Sequence, residues 1–167
     1  MNPMKLFYLS ALLICCFISA QAQEFRVQLM APQFHGGITY LTYYYGKNMN
    51  VVDSTTFNQK GEAIFVGKKK LNPGVYSVVF PGKRSSYDFL VGEEQNIEIL
   101  VKDSLNPVGS SVVSGSKENK LFKEYQRFVA DKGAALERER DAYAKSRTKA
   151  DSSLHEKKYA ELNKELK

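Results

Sequence analysis

The strongest constraint on this chain is a change of hydrophobic period at Ser116. From Glu24 to Ser116, short apolar runs are broken by Gly, Pro and Asn clusters, the punctuation of short strands. From Lys117 to Lys167 there is no Pro and a single Gly (Gly133), with 14 basic and 10 acidic residues, and the apolar positions recur at helical spacing. One layer type cannot serve both patterns. The sequence therefore predicts an α+β chain: an antiparallel β-sandwich of about seven or eight short strands over 23–116, then a charged helical linker or hairpin over 117–167.

Within the first part, Phe25–Leu29 alternates apolar and polar side chains, as a half-buried strand does. Ile38–Tyr45 carries apolar groups on both faces and reads as a central or covered strand. Val51–Phe57 and Ala63–Val66 read as a hairpin across Gln59-Lys60-Gly61-Glu62, with Gly61 at positive φ. Asn72-Pro73-Gly74 is a turn that launches Val75–Phe80, because Pro fixes φ and Gly permits the left-handed region. Asp88–Val91, Asn96–Val101 and Ser111–Ser114 complete the set.

In the second part Ser116 is placed to cap a helix. Leu121, Phe122, Tyr125, Phe128 and Val129 make one apolar stripe, expected to dock that helix on the sandwich. After Gly133 the stripe thins to Leu136, Tyr143 and Ala150, and Asp151-Ser152-Ser153 is expected to cap a last helix carrying Leu154, His155, Tyr159, Leu162 and Leu166.

The N-terminus reads as a secretory signal peptide over 1–22. Lys5 precedes the apolar run Leu6–Ile18, and Ala20-Gln21-Ala22 has the small-residue cleavage pattern. The run is shorter than the roughly 20 residues that span a bilayer, so membrane contact is expected only in transit. Ile14 before Cys15 is bulkier than the small residue that normally precedes a lipidated Cys, which argues against a lipoprotein. The expected compartment is the periplasm or cell envelope. Both cysteines of the chain, Cys15 and Cys16, leave with the signal. Without a thiolate, the cleaved chain cannot itself carry out thiol–disulfide exchange.

Several segments in order, Tyr40–Gly46, Val52-Asp53-Ser54, Gly61, Phe65-Val66-Gly67, Gly74-Val75-Tyr76, Phe89-Leu90-Val91 and Gly115-Ser116-Lys117-Glu118-Asn119 followed by Phe122 and Tyr125, span Glu24 to Val129. Together they resemble the N-terminal domain of unknown function of exported bacterial thioredoxin-like (disulfide reductase) proteins of the TlpA type. The resemblance implies that the β domain and charged helices precede a thioredoxin-fold domain with a C-x-x-C or related site. This chain departs from that architecture by carrying no such motif. Glu165-Leu166-Lys167 stops mid-pattern without Gly, Asn or Pro, so an N-terminal piece of a longer protein is expected, partnered in cis by the thioredoxin-fold domain.

The candidate partner or ligand surface consists of Tyr43, Tyr45 and Asp53. Alternation puts Tyr43 and Tyr45 on one strand face and Tyr40 and Tyr44 on the other, so the four tyrosines form no single platform. Asp53 suits a strand bend where its carboxylate bonds local amides. Lys68-Lys69-Lys70 and Lys83-Arg84 read as solvated edge charges rather than a nucleic-acid surface. His35 and His155 fall in different halves with no thiol to join them, so neither a metal nor a cofactor is expected. Glu93-Glu94 is a poor acid–base couple, and no G-x-S-x-G, H-E-x-x-H or P-loop pattern occurs. The expected function is a non-catalytic accessory domain that positions a downstream redox domain or helps it engage partners. The alternative is a stand-alone envelope sandwich that binds glycans or peptides.

Overall fold

The computed structural model describes residues 24–166. The expected signal peptide over 1–22, with Lys5, Cys15 and Cys16, lies outside the described residues. In chain order the elements are β1 (Phe25–Met30), β2 (Ile38–Tyr45), β3 (Asn48–Thr56), β4 (Glu62–Gly67), β5 (Gly74–Val79), β6 (Ser86–Val91), β7 (Asn96–Val101), α1 (Pro107–Ser110), β8 (Ser111–Ser114), α2 (Lys117–Lys145) and α3 (Lys149–Glu165). The eight strands form two four-stranded sheets, ordered β4-β1-β7-β8 and β3-β2-β5-β6.

Period-2 alternation turns one row of each sheet inward. Val27, Leu29, Phe65, Ile97, Ile99 and Val101 from the first sheet meet Leu41, Tyr76, Val78, Tyr87, Phe89 and Val91 from the second, and all are buried. Phe57, Leu71 and Phe80, just outside strands, fill the ends of this core. Most strand pairs are antiparallel, but β1 and β7 run parallel, with Val27 opposite Ile97 and Leu29 opposite Ile99. The expected sandwich is thus antiparallel-dominated, with β1–β7 as its parallel pair.

The expected hairpin across Gln59–Glu62 is corrected. β3 and β4 lie in different sheets, and the connection between them is a sheet-to-sheet corner. Asn58 makes the corner: its Oδ1 accepts from the backbone N–H of Lys60 (2.8 Å) and Glu62 (3.0 Å). Gly61 sits there at φ +75°, where a Cβ would come within 2.7 Å of the Ala31 carbonyl oxygen. A hairpin and a corner share the same turn residues, and only the distant partners of each strand tell them apart.

The helices depart further from the expectations. α2 runs unbroken through Gly133 for 29 residues, since the ~1 kcal/mol cost of an interior Gly is offset by the helix formers Ala134, Ala135 and Leu136 beside it. Ser146 ends it, and α3 starts from Thr148 rather than from Asp151-Ser152-Ser153. The Thr148 hydroxyl accepts from Asp151 N–H, so Asp151 belongs to the first turn. The single-turn α1 escaped the periodicity, although Asn106-Pro107 is an N-cap followed by Pro at the first helical position. Among the described residues no helix is long and apolar enough to cross a membrane.

Candidate interaction surface

α2 meets the sandwich at an edge, not at a face. β6 is the outer strand of its sheet, so half of its backbone groups have no neighbouring strand. Asn119, 1% exposed, stands in for that strand. Its Oδ1 accepts from Leu90 N–H and its Nδ2 donates to the Leu90 carbonyl, both at 2.7 Å. Two turns on, Gln126 Nε2 donates to the Asp88 carbonyl at 3.0 Å. Ser116 caps the helix by accepting from Asn119 N–H at 3.3 Å. Gly115 precedes it at φ +83°, where any Cβ would collide with the Asn96 carbonyl oxygen. The junction Gly115-Ser116-Lys117-Glu118-Asn119 thus combines a left-handed turn, a cap and an edge clamp.

Because α2 docks through polar groups, the stripe expected to dock it faces outward. Leu121 is 68% exposed, Tyr125 62%, Phe128 44% and Val129 38%. Phe122 is half-buried and stacks on Tyr125 with ring centroids 6.5 Å apart. This corrects the reading of the stripe as buried. The edge of β6 requires hydrogen bonds, which apolar side chains cannot supply.

The residues singled out from sequence do not converge. Tyr43 is half-buried against Tyr76, at a centroid distance of 5.0 Å, and its ring crowds Gly74. Tyr45, at the end of β2, is 72% exposed. Asp53 sits on β3 opposite Leu41, and its carboxylate accepts from Ser54 N–H at 2.7 Å. On the other face of β2, the Lys83 ammonium lies 4.7 Å from the centre of the Tyr40 ring. The Tyr44 hydroxyl there makes a long 3.5 Å contact with Asp88 Oδ1. Burial, reinforced by that carboxylate, pushes the Tyr44 phenol above its ordinary value.

Two concavities flank α2. One lies between α2 and β8, about 240 Å³, and includes Val112, Lys120, Lys123 and Arg127. Burial and the neighbouring Arg127 guanidinium both lower the Lys123 pKa. The other, about 170 Å³, lies between α2 and α3 beside Glu139, Tyr143, His155 and Tyr159. There His155 Nδ1 and Glu139 Oε2 are 2.7 Å apart. The hydrogen bond from the imidazole holds the Glu139 carboxyl below its ordinary range against the opposing effect of burial, with Lys158 adding to it. His35 is remote from this pair, its Nδ1 3.1 Å from the Gln59 carbonyl oxygen. Among the described residues no three His, Cys, Asp or Glu side chains cluster closely enough to hold a metal ion.

Residues 25–122, more than half of the chain, match the model of a family described as a domain of unknown function (DUF4369). No catalytic family is matched over this stretch. No curated protein matches the chain.

Proposed function

We propose that this chain, which belongs to the DUF4369 family, is the accessory N-terminal part of an exported, thioredoxin-like protein of the TlpA type, and that it positions a downstream redox domain. One observation carries the reading: the clamp of Asn119 on Leu90 fixes the direction in which α2 leaves the sandwich. A rigid arm is what a spacer needs. A 29-residue helix extends about 43 Å at 1.5 Å per residue, and α3 folds back along it. The segments that carry the resemblance also have structural work here. Gly61 shapes a corner, and Gly115, Ser116 and Asn119 set the junction. In this reading the chain acts in the periplasm, takes no cofactor and leaves the chemistry to the thioredoxin fold in cis.

The test is the reading frame beyond codon 167 in the intact gene, followed by a thiol–disulfide assay on its product. An in-frame thioredoxin-like sequence is expected. Shortening α2 by two turns should then alter reduction of protein disulfides while leaving that of a small-molecule disulfide unchanged. A stop at codon 168, with no redox domain encoded, refutes the proposal.

Tyr45 favours a second reading, a stand-alone envelope binder of glycans or peptides. It is a largely exposed aromatic side chain on a sheet, next to the exposed strand β3. Pull-downs from envelope extracts with the wild-type chain and Tyr45→Ala test it, and equal recovery of partners by both rules it out.

A further inference from the structure

Between α2 and β8 the fold gathers positive charge that it does not neutralise. Lys120, Lys123 and Arg127 follow one another at steps of three and four, so they share one side of α2. That side is neither the amide side that clamps β6 nor the apolar stripe. It turns toward β8, because α2 runs back along that strand after the turn at Gly115. The Arg127 guanidinium thereby reaches the Gly109 carbonyl, just ahead of β8, at 3.4 Å. The three cations line the cleft of about 240 Å³, with Val112 and Val113 as its apolar wall and Glu124 as the one carboxylate among its lining residues. Among the described residues none of these four charged side chains makes an ion pair. Two positive charges are therefore left over. Lys123 is also half-buried, so its ammonium gives up water beside a second cation, and its pKa falls for that reason. Holding like charges together in a cleft costs free energy, and a bound anion offsets that cost.

We infer that this cleft binds the phosphoryl group of a phosphate monoester, with Lys120, Lys123 and Arg127 donating to its oxygens and Val112 and Val113 against its organic part. The charge of the cleft selects the ligand. A phosphate monoester carries about −1.5 to −2 near neutral pH, which matches the two unneutralised charges, and its three terminal oxygens allow one for each cation. A carboxylate brings one charge and two oxygens, and leaves a cation without a partner. The guanidinium is already oriented, since one of its five N–H donors is held by Gly109 and the others stay available. Charge-assisted hydrogen bonds of this kind are about twice as strong as neutral ones. The same chemistry is offered by a soluble phosphate ester and by a lipid headgroup that ends in a phosphate monoester. The inference stands apart from the accessory-domain reading, because every group it uses lies between Val112 and Arg127.

Titration of the isotope-labelled chain with phenyl phosphate, followed by amide NMR at low salt, tests this directly. The amides of Val112, Val113 and Lys120 to Arg127 should shift saturably, and benzoate should bind about tenfold more weakly or less. Lys123→Gln, alone or with Arg127→Gln, should weaken phenyl phosphate binding about tenfold or more, whereas Lys123→Arg keeps the charge and should retain it. Lys69→Gln removes one positive charge from an exposed site elsewhere and should leave binding unchanged. The same spectra show that each variant is folded. Co-sedimentation with phosphatidylcholine vesicles containing phosphatidic acid separates the two sources: binding lost in the double variant makes the ligand a lipid headgroup, and its absence beside saturable phenyl phosphate binding makes it a soluble ester. No saturable shift at millimolar phenyl phosphate overturns the site. Equal weakening by Lys69→Gln reduces it to overall charge and overturns it too, and benzoate bound as tightly as phenyl phosphate overturns the assignment to a phosphoryl group.

Discussion

Replacing Asn119 by Ala separates the role of the α2 clamp from that of the helix itself. Ala is the better helix former, so propensity alone predicts a gain of a few tenths of a kcal/mol. The structure predicts a loss. Removing the amide strands the N–H and the C=O of Leu90, both bonded to Asn119 at 2.7 Å. An unsatisfied buried group costs about 1–3 kcal/mol. Leu90 is half-buried, so water reaches part of the vacated site and the sum should fall near 2–4 kcal/mol. Asn119→Asp sharpens the test. A carboxylate can still accept from Leu90 N–H, but its second oxygen then faces the Leu90 carbonyl, and burial also disfavours the charge. Its folded-state pKa is therefore raised above the unfolded value, so the fold binds the proton more tightly. The stability of Asn119→Asp relative to Asn119→Ala should accordingly be greatest below the ordinary carboxylate pKa and decline as pH rises through the raised one. Urea unfolding followed by circular dichroism, at matched m-values, measures both differences. A loss below about 0.5 kcal/mol for Asn119→Ala, or an Asp variant whose offset from Ala does not change with pH, would refute the edge-clamp account.

Two further perturbations follow from named contacts. Gly61→Ala forces a side chain to φ +75° and against the Ala31 carbonyl, and should lower stability by about 1–3 kcal/mol in the same urea assay; Gly82→Ala, also at positive φ but with open space around its Cβ, should cost less. The helical hairpin should loosen in acid. The Glu139 carboxyl is held below its ordinary range, so its pairing with His155 stabilises the hairpin above the ordinary carboxylate pKa and is lost as pH falls through the depressed one. Hydrogen exchange of α3 amides should show this loss, and His155→Ala should remove most of the pH dependence.

The strands were legible because their inner and outer rows alternate in the sequence itself. Val27 and Leu29, or Ile97 and Ile99, announce a buried face whatever strand lies beside them. Their partners were not legible. The same Gln59–Glu62 turn suits a hairpin or a corner, and the parallel register of β1 on β7 depends on residues some seventy positions apart. Of the candidate surface, Tyr43 and Tyr45 could be assigned to one face, but not the packing of Tyr43 on Tyr76, because that contact joins β2 to β5.

The reversed helix is the more instructive departure. An apolar stripe is usually the buried side of a helix, since most helices pack on apolar faces. A helix that closes a sheet edge faces a row of amides and carbonyls instead, and must bring donors and acceptors to it. The sequence does carry that signal, in the spacing of Ser116, Asn119 and Gln126: a cap, then two amide side chains three and ten residues on. These fall on one side of the helix, opposite Leu121, Tyr125 and Phe128. Once the amide side is assigned to the sandwich, the apolar side faces away from it, and among the described residues α3 pairs along it only as far as Lys132. The apolar pattern that suggested how α2 docks therefore does not describe that contact, which is written in its amides.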